Sequence, residues 1–253
     1  NSFCTLLATH CFKPTYLSVE GAVDSGAISQ LRGVQNLALF NVAGATVSAF
    51  EVILLLPSLR RLWLQEVPLP TWVEAVLHLA TSETQAPQIG SLLVYDFTCR
   101  TFIRPPATSV VPRALFPALK DISIECVSTA GVVVSIPDDV LSRVESFSGD
   151  FQLGGLDVCA ALDRLPTLRH LRAKSCDEEH CRAAGEALAT RCAADGDSVL
   201  ETVEIENCGD LADSFLRACN ETAVRLRLLR FDSRDGVRCS LSETALTPSL
   251  PNA

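Results

Sequence analysis

A chain of 253 residues that is 48% hydrophobic, only 6% aromatic and carries a net charge of −9 has the size of one or two ordinary domains or of a single repeat array. The acidic balance argues against duplex DNA or RNA as main partner, since it repels phosphates. The most apolar run, Val52–Leu56, is stopped by Pro57, far short of the ~20 residues that a membrane-spanning helix needs.

Taken in chain order, the first residues, Asn1–Cys11, lack the basic start and cleavage site of a secretory leader. The chain begins with Asn and contains no Met, so it reads as a piece of something longer. From there one frame recurs: apolar-x-x-apolar-x-x-apolar-x-apolar. It is weak at Leu17/Val19 and clear at Leu31/Val34/Leu37/Leu39 and Leu56/Leu59/Leu62/Leu64. It returns at Ala86/Ile89/Leu92/Val94, Phe116/Leu119/Ile122/Ile124, Leu141/Val144/Phe147 and Leu165/Leu168/Leu171/Ala173. Leu200/Val203/Ile205 and Leu226/Leu229/Phe231 follow. With the second apolar position as anchor, the anchors are Pro14, Val34, Leu59, Ile89, Leu119, Val144, Leu168, Leu200 and Leu226, spaced 20 to 32 residues apart. The closing apolar-x-apolar predicts a short strand whose alternate side chains point inward. Pro57, Pro87, Pro117, Pro166 and Pro248 each stand two residues before the second apolar position, where proline ends a helix and sets an extended path.

Helical patterns fill the gaps between strands. Ser48-x-x-Glu51 reads as a capping box opening Ala49–Leu55. Pro70–Ala80 carries a stripe at Val73, Val76, Leu77 and Ala80. A helix beginning at Asp177, Glu178 and Glu179 runs to Cys192 with an inward stripe at Cys181, Gly185, Leu188 and Cys192. Leu211–Cys219 forms another. Thr98–Pro112, rich in Pro and Thr, is expected to bulge as a loop, and Thr247-Pro248-Ser249-Leu250 opens a tenth copy at which the chain stops, with no cap read there. Few aromatic residues imply a core of Leu, Val, Ala and Cys in thin layers.

These repeats resemble the leucine-rich-repeat superfamily over nearly the whole chain, in its irregular, cysteine-containing, ribonuclease-inhibitor-like form. The resemblance implies an α/β solenoid, a horseshoe of about nine repeats spanning residues 1–253. Parallel strands would line its concave face, with helices and loops on the convex one. Such arrays place Asn or Cys three residues after the strand's last apolar position; Cys176 and Cys208 match, whereas Val42, Val67, Phe97 and Val127 depart from it.

No catalytic signature is present: no phosphate-binding glycine loop, no GxSxG, no HExxH. The four histidines are His10, His78, His170 and His180. His78 is read as a solvated helix residue. His10-Cys11 is a poor nucleophile pair, because sequence neighbours on a helix face apart. Cys176, His180, Cys181 and Cys192 are zinc-ligand types, but their places in the repeat favour buried thiols over a metal site, and no metal or cofactor is expected. The 11 cysteines form no CxxC pair. Their odd number and inward positions favour a reducing, cytoplasmic setting over a secreted or cell-surface one. Asn220-Glu221-Thr222 is a formal glycosylation sequon, relevant only to the latter.

Alternation lists the outward residues of each strand. Phe40, Trp63, Leu93 and Tyr95 fall on three successive strands with Arg61 and Gln65 beside them, a composition typical of binding hot spots. Cover by a loop or another domain is the alternative use of such a patch. His170, Arg172 and Lys174 form a second, basic candidate, set against a cross-strand ion ladder with Asp150, Glu204 and Glu206. The expected function is therefore a non-catalytic scaffold that binds another protein, of oligomeric state unknown. The alternatives are the substrate-recognition part of a ubiquitin-ligase-type adaptor and a secreted or surface receptor ectodomain. The first calls for an F-box-like segment upstream and the second for disulfide-capped ends; neither is found in the sequence.

Overall fold

The computed structural model describes residues 15–21, 25–82, 89–98, 108–109, 111–125, 134–149, 162–173, 181–193, 200–206, 211–219, 224–232 and 238–246. The chain divides into two compact units, Asn1–Val140 and Leu141–Ala253.

In chain order the first unit contains β1 (Tyr16–Glu20), α1 (Ser25–Ile28), β2 (Asn36–Phe40), α2 (Val47–Leu54) and β3 (Arg61–Pro68). There follow α3 (Leu69–Thr81), β4 (Ser91–Thr98), β5 (Thr108–Ser109), β6 (Asp121–Glu125) and β7 (Val134–Ser135). Strands β1, β2, β3, β4 and β6 lie side by side in that order, and every neighbouring pair is parallel. The register sets the frame of one copy against the next: Leu37 faces Leu62, Leu62 faces Leu92, and Leu92 faces Ile122. The anchors Val34, Leu59, Ile89 and Leu119 are all buried, as are Leu37, Leu39, Leu62, Leu64, Leu92, Val94, Ile122 and Ile124. Each fully buried aliphatic side chain of this kind stabilises the fold by roughly 1.5–3 kcal/mol relative to exposure.

One backbone arrangement repeats at the starts of β2, β3, β4 and β6. The carbonyl of Thr15 accepts from the amides of Gln35 and Asn36, that of Gln35 from Arg60 and Arg61, that of Arg60 from Gly90 and Ser91, and that of Gly90 from Lys120 and Asp121. The anchor amides bond back three residues, Val34 to Leu31, Leu59 to Leu56 and Leu119 to Phe116. The segment before each of these three anchors is thus a tight turn, with Pro in it at Pro57 and Pro117. Val42 and Val67, which stand where the resemblance would place Asn, are buried. The residues just before them, Asn41 and Glu66, take positive φ of 55° and 58°, and the Val42 amide bonds to the Gln65 carbonyl at 3.2 Å.

Helix α4 (Asp138–Leu141) runs across the division, its last residue falling in the second unit. That unit contains β8 (Ser146–Gly149), β9 (His170–Ala173), α5 (Cys181–Arg191), β10 (Thr202–Glu206), α6 (Leu211–Cys219), β11 (Val224–Asp232) and β12 (Arg238–Leu246). Strands β8 to β11 are parallel neighbours in sequence order, while β12 runs antiparallel along β11. The shared-carbonyl arrangement recurs: Glu145 accepts from Arg169 and His170, and Arg169 accepts from Glu201 and Thr202. Val144, Leu168 and Leu200 are buried anchors. In the last turn of α5, Arg191 donates to the carbonyls of Leu165 and Pro166 at 3.0 and 3.2 Å.

Several expectations are corrected. Helix α2 is opened by Thr46, whose hydroxyl accepts from the Ala49 amide. Ser48 is inside the helix, and Glu51 bonds to His78 rather than closing a box. The buried stripe of α3 is Trp72, Ala75, Val76 and Leu79, while Leu77 is exposed. Both that stripe and the expected one are apolar at helical spacing, so periodicity alone does not choose; burying Trp72 removes the larger apolar area from water. Aromatic side chains contribute to the core more than composition implied. Trp72 packs edge-on against Phe50 at 5.4 Å, and Phe116 and Phe215 are fully buried. The segment Thr98–Pro112 is not wholly loop: it holds β5, which pairs in parallel with β7. Strand β12, to which the repeat frame assigns no element, runs antiparallel along β11. Thr247–Leu250 and Asp177–Glu179 lie outside the described residues.

Candidate functional site

Alternation along β2, β3 and β4 puts one set of side chains in the core and the other on the opposite sheet face. On β3, Leu62 and Leu64 are buried and Trp63 is 42% exposed; on β4, Leu92 and Val94 are buried and Tyr95 is 41% exposed. The pairing then forms rows across the sheet. Tyr16, Asn36, Arg61, Ser91 and Asp121 make the first, and Ser18, Ala38, Trp63, Leu93 and Ser123 the second. In the third row Glu20 pairs with Phe40 and Gln65 with Tyr95.

All six residues of the first candidate surface fall on this outward set. Phe40 and Trp63 are in edge contact with ring centroids 5.2 Å apart. Phe40, Gln65 and Leu93 are half-buried, and Arg61 is exposed. Ala38, outward by alternation, is closed to solvent, its paired neighbour on β3 being Trp63. The result is a continuous apolar strip one side chain deep, with a guanidinium at its first row. The Ser91 hydroxyl donates to Asp121 Oδ2 at 2.7 Å, so the acid beside the strip is held by its own neighbour. Sequence reading passed over Tyr16, exposed on β1 in the row of Arg61; its outward register was visible, but no second apolar residue on that strand marked it.

The second candidate has a different character. His170 Nδ1 lies 3.0 Å from the Thr202 hydroxyl, Arg172 pairs with Glu206 at 2.8 Å, Arg230 approaches Glu204 at 4.0 Å, and Arg169 pairs with Glu201. Diagonal and direct cross-strand pairs of this kind are how a sheet face neutralises alternating charge. Lys174 and Asp150 lie outside the described residues.

Among the described residues no group of three or more His, Cys, Asp or Glu side chains is arranged to hold a metal ion. Cys192 and Cys219 are free, buried thiols. Cys176 and Cys208 lie outside the described residues, and the side chain of Cys181 is not described. His78 is largely exposed, and its ring bonds to Glu51 across α2 and α3. No described helix is long and apolar enough to cross a membrane. Comparison of the chain with protein-family models, with curated proteins and with solved structures yields no match.

Proposed function

We propose that the chain is a leucine-rich-repeat solenoid that acts as a non-catalytic scaffold, binding another protein on the outward sheet face of β2, β3 and β4. The repeated shared-carbonyl bonds, the buried anchors and the parallel strands in sequence order support the repeat reading. The observation that carries the function is Trp63: an indole left 42% exposed, in edge contact with Phe40 and beside Leu93 and Tyr95. Contiguous apolar side chains on an open sheet face have no folding role that requires their exposure, and patches of this type are used for association.

The chain has two tryptophans, Trp63 and Trp72, which act as each other's control. Selecting a displayed random-peptide library on the whole chain is expected to yield ligands that Trp63→Ala loses by a factor of about 30 or more, the scale of a hot-spot residue. That substitution should cost only about 0.5–1.5 kcal/mol of stability, the worth of its aromatic contact. Trp72→Ala, by contrast, should cost about 3–5 kcal/mol. Ligands that bind Trp63→Ala as well as the parent chain, or a failure to select any, would refute the proposed site.

A further inference from the structure

The same face carries a charge asymmetry that points to the chemistry of the partner. Arg61 is exposed, and among the described residues its guanidinium makes no ion pair or side-chain hydrogen bond. Its row neighbours are Asn36 and Ser91, neither of them acidic, and the nearest acid in the row, Asp121, is engaged by Ser91. Elsewhere the outward arginines are neutralised from within: Arg172 by Glu206, and Arg230 facing Glu204. Arg61 is therefore the described guanidinium that adjoins the apolar strip with its charge uncompensated. At the other end of the strip the sign reverses, because exposed Glu20 pairs in register with Phe40.

We propose that the partner presents an extended segment that seats one Asp or Glu carboxylate on Arg61 and a large apolar side chain against Trp63. This rests on the reading of the face as a protein-binding surface. Arg61 and Trp63 are two residues apart on one strand face, about 7 Å. An extended ligand has the same two-residue period, so its acid and its apolar anchor should also be two residues apart. A planar guanidinium takes a carboxylate through two parallel N–H···O bonds, which sets orientation as well as affinity. Glu20 repels a second acid at the far end, so the carboxylate belongs at the Arg61 end and the ligand has a fixed direction.

The probe is a displayed random-nonapeptide library selected on the full chain, followed by a synthetic peptide of the enriched sequence. Enriched peptides should carry Asp or Glu two positions from Trp, Phe or Leu. Replacing that acid by its amide should weaken binding about tenfold, and the penalty should vanish in Arg61→Gln and in Arg61→Glu. Both variants should keep the parent melting temperature; Arg61→Gln serves if the charge reversal does not fold. Enriched peptides with an apolar anchor but no acid, or an acid preference that survives Arg61→Gln, would overturn this inference and leave the proposed function standing. An empty selection, or ligands indifferent to Trp63→Ala, would overturn both.

Discussion

The thiol of Cys192 lies in the core just beyond the end of α5. Burial raises its pKa from an ordinary 9.0 to about 12; the neighbouring Cys219 adds to the rise and Arg191 opposes it. Cys219, closed to solvent under a thinner cover of protein, is raised by burial to about 11. A raised thiol pKa means that the folded chain holds its proton more tightly than the unfolded chain. The resulting stability is complete below pH 9, where thiols in both states are protonated, and is lost as pH climbs towards 12. The urea midpoint should therefore fall across that window, and Cys192→Ala should make the fall shallower. A slope unchanged in Cys192→Ala would mean that this thiol is not the group responsible. Inward placement of Cys192 was legible from its helical stripe with Gly185 and Leu188. The electrostatic influence of Cys219 was not, because it joins two elements whose mutual rotation no local pattern specifies.

Among the helices, α5 and α6 meet at a glycine. A Cβ added at Gly185 would stand 2.6 Å from the Phe215 backbone nitrogen and 2.8 Å from Ser214, closer than such atoms approach. Propensity and packing therefore pull in opposite directions. Alanine would favour the helix by about 1 kcal/mol, but pushing two backbones apart in a packed layer costs about 1–3 kcal/mol. Gly185→Ala is expected to lower the free energy of unfolding by up to about 2 kcal/mol in denaturant titration. Gly44→Ala, where nothing lies within 4 Å of the added carbon, should be nearly neutral. A stabilised Gly185→Ala would mean that the helices separate without cost. Sequence reading put Gly185 on the inward stripe but offered no hint that its lack of a side chain was the point. The α3 stripe was misplaced for a related reason: the rows through Trp72 and Val73 are both apolar at helical spacing, and the larger area buried by Trp72, packed on Phe50, decides between them. The cap of α2 slipped because Thr46 and Ser48 are both good N-cap residues and lie two apart.

Across the whole chain, legibility follows period. The strands of β2, β3, β4, β6, β9 and β10 and the outward set at Trp63 were readable because a one-residue slip would bury Trp63 and expose Leu62 and Leu64. Strands without that redundancy were not. The two-residue pair of β5 and β7 is too short to carry a pattern. In β12 the alternation of Cys239 and Leu241 is interrupted at Glu243, and no copy of the repeat frame covers it. Strand β12 has a consequence that the repeat pattern would not supply. Successive amides of a strand point to opposite sides, so β11 divides its hydrogen bonds between β10 and β12. Ending the chain after Asp232 removes one side only, leaving a bare row of donors and acceptors at a sheet edge. Hydrogen exchange should then accelerate at alternate β11 amides, those directed at β12. The amides between them, directed at β10, should keep more of their protection, although the unit as a whole loses stability. Uniform loss of protection along β11 would mean that the strand does not stand without β12. Unchanged protection would mean that the antiparallel pairing contributes nothing to holding it.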